Sequence, residues 1–362
     1  MPPGVRGGGG DQMPGGSGEK PVFHDLPARD TRAMRVDEDR LTVPDRTTMT
    51  EAMELAARAP SVHNTQPWRW RFDGLRLRLH ADPTRRLAAV DPHGRQLVIS
   101  CGAMLDHVRT AFADRGWHAE VLRLPDPKRP DYLAAIGFRP WDEVPAELRE
   151  RARAIERRRT DRLPLRAPAH WEQTLGALRE VAAPYRIAVD VLAEDARPSL
   201  AAASRRFGDL RRLDLLYETE LDMWTGHSDG ADGVPATALV SDTEFDRVGV
   251  GRIFPSGAPS ARRPGLDDRA RLVVLSTAKS SVTHWLRTGE ALSAVLLRCT
   301  ADGLASCALT HITELPAGRE LLETLVPYPG TPQVVIRVGE APRGADPIES
   351  TPRRPLDEIL SY

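Results

Sequence analysis

The residue pattern predicts an α+β protein of two tandem units, each a mixed sheet with packed helices, plus one lid-like insertion. Three observations carry that expectation. Segments with a helical apolar period interleave with short stretches in which apolar residues alternate, the signatures of amphipathic helix and half-buried strand. An order of parts recurs: helix, loop and strands lead to a Gly-bounded helix that stops at Gly116 in the first half and Gly303 in the second, and each time a strand follows. From Gly226 to Pro264 the chain is rich in Gly, Asp, Pro and Ser without a period, too long for an ordinary connection and therefore a lid, a binding loop or disorder. The units are expected at residues 47–144 and 145–362, with the insertion at 226–264.

Composition narrows the class. The 362 residues are 41% hydrophobic, enough for a sizeable core. Lys plus Arg is 50 against 51 Asp plus Glu, so no general charge draws the chain to nucleic acid or an anionic membrane. Cys101, Cys299 and Cys307 are too few for a secreted disulfide framework and show no CxxC spacing, which points to a reducing compartment. No run approaches a membrane span, and glycines occupy the place of a signal peptide's apolar stretch. A cytoplasmic protein is expected. Residues 1–46 carry Gly, Pro and charge without apolar period and are expected to form a disordered tail.

In the first unit, Thr48 and Glu51 have the form of a capping box, followed by Ala52, Leu55, Ala56 and Ala59 on one helical face. That helix leads into Pro60-Ser61-Val62-His63-Asn64-Thr65-Gln66-Pro67-Trp68. Two prolines exclude a helix interior, and the hydroxyl and amide groups between them suit a flat heterocycle or a phosphate ester. Trp68, Trp70 and Phe72 alternate with arginines, Asp73-Gly74 signals a hairpin, and Leu75, Leu77 and Leu79 alternate in turn. Trp68 therefore reads as a core anchor. A buried helix is expected from Gln96 to Ala113, then strands at Trp117–Leu124 and Leu133–Phe138. His93, His107 and His118 lack a carboxylate or Cys at ligand spacing, so no metal site is expected.

The second unit should contain helices at Ala146–Arg157, Trp171–Val181 and Leu200–Glu220, the last with Leu210, Leu213 and Tyr217 on its apolar side. Strands are expected at Tyr185–Ala193, Arg271–Ala278, Gly303–Thr310 and Gln333–Gly339, with a core helix at Gly289–Asp302. Arg158, Arg159 and Arg162 flank Thr160 at a helix end. Guanidinium forks with a hydroxyl between them match a phosphate, and a basic helix end complementing the dipole is the simpler account of the same residues.

These motifs resemble those of one family. The run from Pro60 to Trp68 is similar to the P-S-x-x-N-x-Q-P-W signature of the nitroreductase superfamily, and the central His63 is similar to its actinobacterial Acg-type branch. Arg158-Arg159-Thr160-Asp161-Arg162 resembles the R-R-S-x-R element, with Thr for Ser, and Arg353-Arg354 resembles the basic pair that closes many members. Gly289 to Ser306 resembles the family's core helix, with Leu292-Ser293 where Gln-Asn is usual. The resemblance implies an FMN site where two copies of the unit meet, here fused into a monomeric pseudo-dimer that can dimerise further. It implies cofactor contacts from Ser61, His63, Asn64 and Gln66, from Arg158, Arg159, Thr160 and Arg162, from Thr310 and His311 on the ring side, and from Arg353. No side-chain acid or base is implied to be catalytic. Only one complete site can be assembled, which predicts one FMN per chain.

The implied activity is an FMN-dependent NAD(P)H oxidoreductase that passes hydride through the flavin to a nitro, quinone or similar small acceptor. The alternative is a non-catalytic FMN-storage or redox-sensing protein whose insertion closes the site.

Overall fold

A computed structural model describes residues 41–226, 230–254 and 260–362. Most of the expected tail lies outside the described residues. Its last part does not follow the expectation, because Thr42 N–H donates to the Phe138 carbonyl at 3.0 Å and ties the chain to a strand end before the first helix begins.

In chain order the first elements are α1 (Arg46–Ala56), β1 (Trp68–Phe72), β2 (Leu77–Ala81), α2 (Arg95–Asp114), β3 (Trp117–Arg123), β4 (Tyr132–Pro140) and α3 (Ala146–Arg157). There follow α4 (Trp171–Ala182), β5 (Ala188–Val191), α5 (Arg197–Arg212), α6 (Leu215–Met223), α7 (Asp242–Val248), β6 (Arg271–Thr277) and α8 (Val282–Ala301). The chain ends with β7 (Ala305–Leu309), α9 (His311–Glu314), α10 (Pro316–Leu325), β8 (Thr331–Gly339), α11 (Leu356–Ile359) and β9 (Leu360–Ser361).

The expected α+β class holds, with local corrections. Helix α1 is capped by Asp45, whose carboxylate accepts from Thr48 N–H at 2.8 Å. Thr48 is inside the helix, where its own N–H is the orphan donor that Asp45 satisfies, so the Thr48–Glu51 pair is not a capping box. The hairpin turn spans Asp73 to Arg76, with Gly74 at φ 94° and the Asp73 carboxylate accepting from Leu75 and Arg76 N–H. Leu75 therefore belongs to the turn and not to the strand. The expected helix at Leu200–Glu220 is two helices, because Asp214 caps a new start at α6. The break shifts the phase: Leu210 and Leu213 are 51% and 85% exposed, while Tyr217 is 5% exposed.

Among the described residues nine strands form two sheets, ordered β3-β4-β2-β1-β9 and β7-β8-β6-β5. The first is mixed only because β9 pairs parallel with β1. The second is antiparallel throughout, a correction to the expectation of two mixed sheets, since no returning strand joins its far edge among the described residues. Without β9, the two orders match strand for strand.

Trp68 and Trp70 are fully buried on the first sheet while Arg69 and Arg71, each following one of them, are exposed, the alternation a one-sided strand requires. In β6, Val273 and Leu275 face a core built with α4 and α8, and Leu272 and Val274 face a core built with α5 and α10. Both faces of that sheet are covered, which is why β6 reads as a continuous apolar run.

Helix α2 is buried along almost its whole length and α8 from Thr288 to Leu297, and the two cross at Gly102 and Gly289. A methyl group on Gly102 would lie 2.1 Å from the Leu286 carbonyl oxygen, and one on Gly289 would lie 1.9 Å from that of Ile99. Backbone touches backbone there, and glycine is the residue that permits it.

Candidate functional site

The loop after α1 is held in a shape that few side chains tolerate. His63, Asn64 and Gln66 have φ of 45°, 56° and 47°, a left-handed conformation that costs energy for residues with a Cβ unless surroundings enforce it. Ser61 Oγ accepts from Gln66 N–H at 2.9 Å, and Ser100 Oγ of α2 accepts from Val62 N–H at 3.1 Å. Asn64 Nδ2 donates to the carbonyls of Gly233 at 3.0 Å and Pro352 at 3.1 Å. Gln66 Nε2 donates to the Ala231 carbonyl at 2.9 Å, and its Oε1 accepts from Arg354 N–H at 2.9 Å. The two amides thus bind the loop to the insertion and to the C-terminal segment.

That anchoring turns Ser61 and His63 into a cleft of about 1040 Å³, mouth included, shared with Arg158, Thr160, Arg162, Thr310 and His311. Seven of the residues singled out in the sequence therefore converge. Asn64, Gln66, Arg159 and Arg353 do not line it. Ile99 and Ala103 of α2 and Leu292 and Leu296 of α8 supply an apolar wall, the usual lining for a planar ligand.

One end is strongly cationic. Arg158, at the end of α3, is 6% exposed, its Nε has no partner, and it forms no ion pair among the described residues. Burial, and then the charges of Arg159 and Arg58, push its guanidinium down to about 10. Arg353 is pushed down to about 9 by burial and by Arg158, Arg58 and Arg159. It is pinned by carbonyls alone, Thr351 and Pro352 through Nη1 and Arg58 at 3.0 Å through Nη2. Arg159 likewise donates to the Glu156 and Arg158 carbonyls. Four arginines thus sit within electrostatic reach of one another with no carboxylate paired to them among the described residues. Burying cations without a counter-charge is costly, and an anion with several acceptor oxygens removes that cost.

Elsewhere in the cleft the imidazoles are neutral. His63 is buried with neither ring nitrogen hydrogen-bonded, and burial plus the charges of Arg252 and Arg162 hold it well below the ordinary histidine range. His311 shares a hydrogen with Ser204 Oγ at 3.0 Å through Nε2, leaves Nδ1 without a partner, and is depressed by burial and by Arg252. Thr310 Oγ1 donates to Gln96 Oε1. The Cys307 thiol is pushed up by burial and is not poised as a nucleophile.

The insertion closes over this cleft. Helix α7 starts with a capping box between Ser241 and Glu244, and the buried Glu244 carboxylate holds Arg262 at 2.9 Å. Phe245, Val248, Arg252 and Phe254 reach the cleft from it. Phe254 packs edge-on to His63 at 5.7 Å and beneath the Arg162 guanidinium at 5.4 Å, while Arg252 is paired with Glu314 and Tyr217. The described part of residues 226–264 thus packs against the cleft; residues 227–229 and 255–259 lie outside the described residues. Arg252 and Phe254 were not legible as site residues, because a segment without period gives no register. Arg58 had a weak signal, two positions before the loop motif.

Among the described residues no group of His, Cys, Asp and Glu is placed to hold a metal, and no helix is long and apolar enough to cross a membrane. No family model matches the chain. A Mycobacterium tuberculosis protein named "Putative NAD(P)H nitroreductase acg" is 47% identical over 310 residues, covering 85% of this chain and 94% of that protein. "Putative NAD(P)H nitroreductase Rv3131" of the same species is 38% identical over 327 residues, covering 88% and 92%. Among solved structures, the FMN-dependent nitroreductase NfnB from Mycobacterium smegmatis in complex with NADPH is similar at 18% identity and a TM-score of 0.37, over 58% of this chain and 98% of that chain. With relatives this similar over nearly their whole length, the chain belongs to the Acg-type branch of the nitroreductase superfamily.

Proposed function

We propose that the cleft holds FMN and that the chain is an FMN-dependent NAD(P)H oxidoreductase acting on a small nitro, quinone or similar acceptor. The observation that carries this is the group of unpaired arginines, Arg158 foremost, at one end of an apolar cleft in a chain whose relatives are named NAD(P)H nitroreductases. In this reading Arg158, with Arg353, Arg58 and Arg159 behind it, neutralises the phosphate. Thr160 and Ser61 offer hydroxyls along the cleft, and Ile99, Ala103, Leu292 and Leu296 give the ring an apolar bed. Asn64 and Gln66 act indirectly, by holding the loop in its left-handed shape.

When bound, FMN supplies the two-electron chemistry between nicotinamide donor and acceptor. The protein's part is to bind, orient and exclude water. His63 and His311, kept neutral, add no positive charge beside the ring, whereas Arg162, which donates to the Ala238 carbonyl and has no ion-pair partner among the described residues, is a cation available to a developing negative charge.

The matching strand orders and the Gly102–Gly289 crossing support a tandem pseudo-dimer with units near 47–144 and 145–362, the last strand returning to the first sheet. A cytoplasmic location accords with three free, buried cysteines.

The test is titration of purified protein with FMN, followed by flavin absorbance and stopped-flow mixing with NADPH. Saturable binding and rapid bleaching are the expected results; protein that takes up no flavin sinks the proposal. Replacing Arg158 with Ala should weaken FMN binding by about 10- to 100-fold, the value of a charge-assisted contact of ~1.5–3 kcal/mol. A second reading, storage or sensing without turnover, is favoured by Phe254 and Arg252 of the insertion standing in the cleft. Under that reading FMN binds and NADPH does not bleach it.

A further inference from the structure

Beside the cleft lies a second hollow of about 660 Å³, mouth included, bounded by α5, α6 and α9 and lined by Ser204, Phe207, Arg211, Tyr217 and Leu221 among others. Among the described residues the two spaces share three lining residues, Arg252, Phe254 and His311, which form the partition between them. Phe254 has no proton to move. Arg252 keeps its charge and is committed to Glu314 and Tyr217. His311 is the member of the partition that can take a proton on one side and release one on the other.

The ring is arranged for that. Its Nε2 shares a hydrogen with Ser204 Oγ at 3.0 Å, and Ser204 lines the second hollow but not the cleft. Nδ1 has no partner, although both residues are more than nine-tenths buried. Burial, and then the charge of Arg252, hold the imidazole well below its ordinary range, so one proton is divided between two nitrogens. When the Ser204 hydroxyl donates to Nε2, the ring proton sits on Nδ1 and is free for a molecule in the cleft.

The reaction proposed for the cleft needs such a proton. A quinone becomes a hydroquinone by gaining one hydride and one proton, and each two-electron step on a nitro group has the same requirement. Among the described residues no Asp or Glu lines the cleft, the Cys307 thiol is pushed up by burial, and neither His63 nitrogen has a partner to resupply it. The insertion and the apolar wall keep bulk water away, so a side chain has to carry the proton in.

We infer that His311 is the proton donor to the acceptor and that Ser204 reloads it from water in the second hollow. The inference rests on the FMN reading of the cleft. As the hydride arrives by way of the flavin, His311 gives its Nδ1 proton to the acceptor and takes the Ser204 hydroxyl proton at Nε2. Ser204 takes a proton from water, leaving hydroxide in the second hollow. The acceptor gains two electrons and two hydrogens, and neither side chain ends with a changed charge. After the product leaves, water returns a proton to Nδ1, and Nε2 passes its own back through Ser204 to the hydroxide.

The experiment loads the full chain with FMN, photoreduces it without oxygen, and follows reoxidation in stopped flow by two acceptors. Menadione needs protons; ferricyanide takes electrons alone. Ser204→Ala and His311→Gln should each slow the menadione reaction by about 10²-fold, the scale of general acid catalysis, and slow the ferricyanide reaction far less. Equal slowing with both acceptors, or none with menadione, overturns the inference and leaves the FMN reading standing. Protein that takes up no FMN, seen before any acceptor is added, overturns that reading and this inference with it. Wild-type protein should react with menadione more slowly in D₂O; no slowing overturns the inference, whether or not the variants fold. A readout free of flavin is nitrogen-15 NMR of the His311 ring, assigned by its loss in His311→Gln. A neutral ring whose tautomer balance moves in Ser204→Ala is expected. A cationic ring at neutral pH, or a balance that Ser204→Ala leaves in place, overturns the relay.

Discussion

The open cleft beside Ser61 and the cluster of Glu290, Arg123, Arg109 and Tyr185 sit against the same pair of crossed helices, yet they handle charge in opposite ways. In the cluster Arg123 and Arg109 meet the Glu290 carboxylate and brace it. At Arg158 and Arg353, cations are gathered without an acid, and burial pushes both guanidinium groups down. Around Glu290, each buried charge has an opposite partner within 3.8 Å. The contrast teaches how to separate a site from a brace in one molecule. A brace satisfies itself, while a site is left wanting a ligand, so the same substitution has opposite consequences in the two places.

The largest effect should come from breaking the brace. Glu290→Ala leaves Arg123 and Arg109 without their buried partner, and removal of one member of such a pair costs about 3–5 kcal/mol. Thermal or urea unfolding should show that loss. By contrast, Arg158→Ala removes an uncompensated buried charge and should leave stability unchanged or raised; a destabilisation as large as that of Glu290→Ala would mean that Arg158 is structural after all.

Next come the crossing glycines. Gly102→Ala and Gly289→Ala each drive a methyl into a carbonyl oxygen, which should cost at least ~1–3 kcal/mol. Because the contacts are reciprocal, the two losses should agree within about 0.5 kcal/mol, the scale on which independent effects are resolved. A clear asymmetry in matched melts would break the two-fold comparison.

Acid should act through the buried imidazoles, two in the cleft and one on Ser293 between α2 and α8. His63, His107 and His311 are buried with their ring values depressed, His107 to about 3. An unfolded chain would protonate all three below the ordinary histidine value near 6.5 while the folded chain does not. Their contribution is present above about pH 6.5 and is lost as pH falls, at up to ~1.4 kcal/mol per histidine per pH unit. Stability that stays flat from pH 6.5 to 5 would contradict buried neutral imidazoles. The smallest expected change is Tyr185→Phe, which removes one donor to Asp106 and one acceptor for Arg109. It should cost about 1–3 kcal/mol, nearer the lower end because the partners keep other bonds, and it should not alter FMN affinity.

Much of this was legible beforehand. The burial of Trp68 and Trp70, the span of α3 and the continuous run of β6 follow from local period, and the loop and arginine motifs pointed to residues that meet. What failed did so for identifiable reasons. Asp45 starts the helix three residues before the Thr48–Glu51 pair, so Thr48 donates to the cap and is not the cap itself. The single helix expected across Leu213 was cut by Asp214, whose side chain offers the backbone an alternative bond. Asn64 and Gln66 carry the right chemistry for a ligand, but their partners proved to be carbonyls of the insertion and C-terminal segment, far away in sequence.

Residue order alone was sufficient for family, class and most helices and strands, since these depend on periodicity and on short motifs read within one stretch of chain. Folding in three dimensions settled which arginines lack a counter-charge, that Phe254 and Arg252 stand in the cleft, and that the chain's last strand completes its first sheet. Those outcomes depend on which distant groups become neighbours, and pairing of charges and filling of space are properties of neighbours in space.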